Sequence, residues 1–68
     1  MRTKFPDLIV NKDDSILVVL KKMDQTNHKL LIVMDGDIFS GLVSIGDIQR
    51  AIIKNIDLKT KIQSILRH

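Results

Sequence analysis

Hydrophobic and polar positions alternate along this chain in blocks whose periods change from element to element. Leu8, Ile9 and Val10 form a short apolar run, expected to be a first strand or extended arm over 8–10, and residues 11–14 then turn the chain. From Ser15 the period becomes helical: Ile16, Val19, Leu20 and Met23 share one face and Lys21, Lys22 and Asp24 point elsewhere, which predicts a helix over 15–25. Asp13 and Asp14 are the cap candidates at its start, where the helix dipole favours negative charge, and Asn27 is a left-handed stop at its end. Residues 30–34, L-L-I-V-M, are apolar at every position, so this strand is expected to bury both faces. Asp35-Gly36 is a hairpin turn signal. The chain returns as a strand over 38–43, with Gly41 where a side chain would be costly or where backbone must pass close.

A second helix is expected over 45–54, with Ile45, Ile48, Ala51 and Ile52 inside, Gln49, Arg50 and Lys54 outside, and Asn55 ending it. Residues 57–59 read as a linker, and Thr60 as the cap of a short last helix carrying Ile62, Ile65 and Leu66. Before the first strand, residues 1–7 form a polar lead-in, in which Pro6 biases Phe5 toward extended geometry. The order is strand, helix, strand, strand, helix, an α+β unit with a small three-stranded sheet and two helices on one face. Two short helices cannot cover both faces of an all-apolar strand, so the second face is expected to meet something outside the chain.

The join between the last strand and the second helix concentrates the candidate chemistry. In S-G-L-V-S-I-G-D-I-Q-R-A, Ser44 stands where an N-cap belongs and Asp47 follows three residues later, the spacing of a capping box. The same groups, a hydroxyl, free backbone N–H groups and a carboxylate at a strand's carboxyl end, suit phosphate at a helix N-terminus and a pair of ribose hydroxyls. The run G-L-V-S-I-G-D-I resembles the signature of the CBS domain, in which a Gly precedes a hydrophobic pair, a Ser or Thr follows, and an Asp comes three residues after it. The flanking elements keep the family's order from about Leu8 to Lys54, so the chain is identified as a single CBS motif with its core at about 8–54. Residues 55–68 are then a linker and short helix, or the lead-in to a missing second motif.

The resemblance implies a regulatory adenosine-nucleotide-binding module, not an enzyme. CBS motifs work in Bateman-type pairs that pack sheet to sheet around nucleotide clefts, so a homodimer is the simplest partner. The alternative is a purely structural dimerisation module with no nucleotide. In the family's terms Asp47 takes the ribose hydroxyls and Ser44 touches ribose or phosphate. Gly46 departs from members that carry a second hydroxyl before the Asp, although its backbone N–H stays open to an anion. Lys29, with His28 behind it, is the phosphate candidate, and Arg50 adds charge one turn past Asp47. Leu8, Ile9 and Val10 line an adenine pocket whose wall Leu31 completes. Each also has a plain role: Ser44 and Asp47 as caps, Lys29 and Arg50 as solvated cations, and the apolar residues as core. The implied ligands are AMP, ADP, ATP, NAD or S-adenosylmethionine, none of them a required cofactor. The G-D-I-Q-R-A wording is similar to CBS units attached to sugar-nucleotide transferases or sugar-phosphate isomerases.

Composition narrows the classes. Sixty-eight residues make one small domain, which buries about 60% of the surface its unfolded chain exposes and is marginal alone. There is no cysteine for a disulfide or a thiolate, and His28 and His68 lack ligand spacing around them. Eleven Lys and Arg against eight Asp leave a charge of +3, spread along the chain. With Phe5 and Phe39 as the aromatics, single-stranded nucleic acid finds little to stack on. Asp35 and Asp37 sit in a turn, where Asp serves geometry and solvent better than acid–base work. No apolar run reaches the ~20 residues a membrane span needs, and the N-terminus lacks a signal peptide's apolar region. The expectation is a soluble, cytoplasmic piece.

Overall fold

A computed structural model describes residues 5–66; residues 1–4 of the expected polar lead-in, and His68, lie outside the described residues. The elements are β1 (Ile9–Asn11), α1 (Ile16–Thr26), β2 (Leu30–Asp35), β3 (Ile38–Ser44) and α2 (Ile45–Ile53), with 3₁₀ turns at Phe5–Leu8 and Ile62–Ile65. The sheet order is β1-β2-β3, with β1 parallel and β3 antiparallel to the central β2. This is the α+β unit expected, a mixed three-stranded sheet with its helices on one face.

At the N-terminal end Leu8 closes a 3₁₀ turn rather than opening the strand, and Phe5, expected to be extended, belongs to the same turn. Pro6 takes the second position of that turn, where its fixed φ fits and its missing N–H is not needed. The strand runs on to Asn11 because the register carries it there: Ile9 faces Ile32, Asn11 faces Met34, and Lys12 N–H donates to Met34 O at 2.9 Å.

Ser15, not Asp13 or Asp14, caps α1, its hydroxyl accepting from Val18 N–H at 3.1 Å. The two aspartates build the preceding turn instead. Asp14 accepts from Asn11 N–H, and Asp13 N–H donates to the Asn11 side chain, both at 2.9 Å. At the other end Asn27 is left-handed, with φ 57°, the position that an Asn tolerates.

The β2–β3 hairpin closes through Gly36 and Asp37 between the paired Asp35 and Ile38. Gly36 has φ +62°, the conformation the two-residue turn demands and side chains resist. A bulge follows: Val33 faces Gly41 and Met34 faces Phe39, which leaves Ser40 as the extra residue. Gly41 does not exclude a side chain as expected: a Cβ there would lie 3.5 Å from Leu66 Cδ1, an ordinary contact distance. The leucine rests on the bare backbone.

The core lies between the sheet and the helices. Val10, Leu31, Val33 and Val43 meet Ile16, Val19 and Met23 of α1 and Ile48 and Ala51 of α2, all buried. Ile52, expected inside, is 48% exposed beside Ile53 at 77%. Asn55, with φ 61°, turns the chain so that Ile56 N–H meets Ala51 O at 3.0 Å and the Ile56 side chain packs on the core instead.

The last segment is part of the fold. Thr60 caps nothing: the 3₁₀ turn has Lys61 before it and no side-chain cap. Instead this stretch runs along the start of α1. Leu17 N–H donates to Leu58 O at 3.0 Å and Ile16 N–H to Thr60 O at 2.9 Å. Those are helix-start donors that have no partner within a helix. Ile62 and Leu66 are buried in the same core.

One sheet face remains open. Both faces of β2 were expected to be buried, yet only Leu31 and Val33 are enclosed, because strand side chains alternate and the helices lie on one side. Across the other face Ile9, Ile32 and Leu42 form one row, and Met34 and Phe39 stand in the next. Leu30 at 52%, Leu42 at 50% and Phe39 at 60% are exposed there.

Candidate functional site

The site forms where β3 passes into α2. Extended backbone at Ser44 ends the strand, and the helix begins at Ile45. Ser44 Oγ accepts from Asp47 N–H at 3.2 Å, and Asp47 Oδ2 accepts in return from Ser44 N–H at 2.8 Å and Ser44 Oγ at 3.0 Å. The capping box read from the spacing is therefore complete. The other carboxylate oxygen, Oδ1, accepts from Arg50 Nη2 at 2.6 Å, with Asp47 mostly enclosed at 15% exposure and Arg50 half exposed at 52%. One turn of helix thus holds a carboxylate between a helix N-terminus and a guanidinium.

Gly46 lies under that guanidinium. A Cβ added there would be 3.5 Å from Arg50 Nη1 and 3.6 Å from Ser44 Oγ. Arg50 therefore leans over the place where a side chain at position 46 would begin.

The register brings neighbouring elements to the same end of the sheet. Leu30 pairs with Ser44, Ile45 N–H donates to Lys29 O at 2.9 Å, and β1 starts beside the same end of β2. On the open face a trough of about 490 Å³ is bordered by Leu30, Phe39, Gly41, Leu42, Ser44 and Asp47. On the other side of Asp47 a cleft of about 280 Å³ runs between α2 and the last segment, lined by Arg50, Lys54, Ile56, Ser64 and Leu66 among others. Asp47 borders both.

Not every candidate joins this group. Lys29 borders a separate depression with Leu20, Met23, Asn27, His28 and Ile45. Val10 and Leu31 turn their side chains into the core, leaving only backbone for a ligand. Leu8 and Ile9 are half-buried, and Ile9 lies on the open face opposite Ile32.

Two lysines gain roles that sequence reasoning missed. Lys22 Nζ donates to Ile9 O at 2.8 Å, tying α1 to β1 and using a carbonyl of the segment expected to read a base. Lys54 lines the cleft beside Arg50. Helical spacing shows that 50 and 54 share a face; only the fold shows what that face borders.

Among the described residues no group of three or more His, Cys, Asp or Glu is placed to hold a metal, and no helix is long and apolar enough to cross a membrane.

The CBS domain family model matches residues 1–54. No curated protein matches the chain significantly. Among solved structures, the chain is similar to a cystathionine beta-synthase domain protein fused to a Zn-ribbon-like domain, with 26% identity, TM-score 0.81 and 87% of each chain covered. It is also similar to a CBS domain at 25% identity and TM-score 0.79, covering 87% of this chain and 47% of that one. A CBS domain protein from Pyrobaculum aerophilum complexed with AMP shares the fold at TM-score 0.78 and 21% identity, over 88% of this chain and 48% of that one. The chain thus spans about half the length of the latter two. With the motif around Ser44 and Asp47, the strand order and the family match in agreement, the chain belongs to the CBS domain family of regulatory modules.

Proposed function

We propose that this chain is a regulatory module that binds an adenosine nucleotide in a cleft completed by a second CBS motif, most simply a second copy of itself. The observation that carries the reading is an uncovered apolar sheet face ending at a capped helix N-terminus with its carboxylate. Ile9, Leu30, Ile32, Met34, Phe39 and Leu42 form a contiguous apolar surface of the kind monomers rarely leave in water. A two-fold pairing of these faces buries it and walls the trough beside Ser44 and Asp47.

In that cleft Asp47 receives the ribose hydroxyls, while Ser44 and the Gly46 N–H face ribose or phosphate, the Ile45 and Asp47 N–H groups being bonded within the chain. Leu8, Ile9 and the backbone of Val10 and Leu31 border the base. Lys29 borders a depression separate from the trough and is left out of the proposed site. AMP, ADP, ATP, NAD and S-adenosylmethionine share the adenosine this arrangement reads, and the fold relative from Pyrobaculum aerophilum is complexed with AMP. Occupancy is passed on through how the two motifs pack, which requires a ligand to prefer one packing over another. A nucleotidyltransferase or isomerase domain is the proposed recipient of that signal.

The second reading is a structural pairing module with no nucleotide. One observation favours it: both Asp47 oxygens are engaged within the chain. Thermal unfolding with each candidate nucleotide separates the two. A ligand at a hundredfold excess over its Kd raises stability by about 2.7 kcal/mol, which is about 10–20 °C in a domain this small. An unchanged melting temperature with all of them leaves the structural reading.

A further inference from the structure

We infer that Arg50 is a gating and specificity residue of this site: it holds Asp47 Oδ1 before a ligand arrives, and yields it to ribose only when a phosphate offers the guanidinium a new partner. This rests on the nucleotide reading of Asp47 and extends it to which adenosine compounds are accepted.

The argument starts from how the carboxylate is used. Oδ2 is taken by Ser44 N–H and Ser44 Oγ, bonds that also hold the helix cap. Giving those up to a ligand would unfasten the start of α2. Oδ1 is bonded to Arg50 at 2.6 Å, and that partner is a half-exposed side chain on a flexible stem. The bond to Arg50 is therefore the one a ribose hydroxyl displaces at least structural cost.

The guanidinium lies over Gly46: Arg50 Nη1 stands 3.5 Å from the point where a side chain at 46 would begin, in ordinary contact distance, so the bare backbone there leaves room beside it. Where it goes once displaced is set by the surface it lies on. Arg50 and Lys54 line one cleft that adjoins the trough through Asp47. A guanidinium released there stands near the helix N-terminus, which itself favours an anion, and planar N–H donors suit phosphate oxygens.

A selectivity follows. Adenosine has to break the Arg50–Asp47 pair and gives the arginine nothing back. A 5′-phosphate replaces the carboxylate as its partner. Arg50 thus penalises the nucleoside and rewards the nucleotide, by displacement of an internal ion pair.

Titration calorimetry with adenosine and with AMP tests this on the unmodified chain and on Arg50→Met and Arg50→Lys. In Arg50→Met, adenosine should bind about two- to fivefold tighter, the range set by a partly exposed ion pair. AMP should bind about tenfold weaker, through loss of a charged hydrogen bond. Arg50→Lys should fall between, since it keeps the charge without the planar fork. On the unmodified chain, raising ionic strength should strengthen adenosine binding and weaken AMP binding, because salt screens both pairs. If the two ligands shift in the same direction by the same factor, or salt leaves adenosine binding unchanged, the inference is overturned while the nucleotide reading stands. If the unmodified chain binds neither compound, the nucleotide reading fails and this one with it.

Discussion

The backbone N–H of Ile62 donates to the carbonyl of Asp14 at 2.8 Å, and the Ile62 side chain is completely enclosed. Residue 62 lies beyond the last matched family position, 54, yet it plugs the core from below α1. Ile62→Ala should therefore cost about 2–5 kcal/mol, a large share of the ~5 kcal/mol expected of a small domain. Urea unfolding followed by circular dichroism measures it. A chain cut after Lys54 should lose its cooperative transition; a sharp transition in the cut chain would show that the last segment is dispensable.

Leu42 faces Ile32 across the open sheet and is half exposed. Leu42→Lys leaves the core untouched, so the fold should survive. Self-association should not, because a charge is placed in the middle of the apolar face. Sedimentation should show a monomer for this variant and the proposed pair for the unmodified chain. A persisting dimer would move the contact elsewhere, and Ile53→Lys on the helical side is the matched control.

Removing the two halves of the capping box should give different results. Ser44→Ala should cost about 1 kcal/mol through loss of the N-cap, with weakened nucleotide binding. Asp47→Ala should have a comparable effect on stability, since its carboxylate closes the same box, but should abolish nucleotide binding altogether. Melting curves recorded with and without AMP separate cap from ligand contact. Equal residual binding in both variants would remove Asp47 from the ribose role.

Asp13 links the turn before α1 to the last segment. Hydrogen bonds from Lys61 and then Lys12 hold its carboxyl below the ordinary value of 3.8. Because the folded pKa is the lower one, this contribution is fully present above about pH 4 and is lost as pH falls through the lowered value. Asp13→Asn should lower stability slightly at neutrality and converge with the unmodified chain as pH falls below 4, flattening part of the acid limb, as urea midpoints across pH will show. The Asp13 side chain is half exposed, so high salt should shrink the difference.

Much of this was legible in the order of residues. The 3.6 period of Ile16, Val19 and Met23, the Asp-Gly turn and the Ser44–Asp47 spacing are local patterns, and each corresponds to a local structure. The errors have a common cause. Ser15 displaced Asp13 and Asp14 as cap because the two aspartates were drawn into the turn with Asn11. Ile52 lost its place inside because Asn55 returned Ile56 to the core. In both, several residues had equal local claims and packing chose among them.

The sequence by itself determined the elements, the capped join of β3 and α2, and an apolar sheet face left uncovered, because these follow from periodicity and from how much surface two short helices can shield. The tertiary structure alone decided that Lys29 borders a depression separate from the trough and cleft beside Asp47, that Arg50 holds the carboxylate, and that residues 58–62 complete the start of α1. Those facts depend on which way alternate side chains point and on which distant segments meet, and neither is encoded in any single stretch of chain.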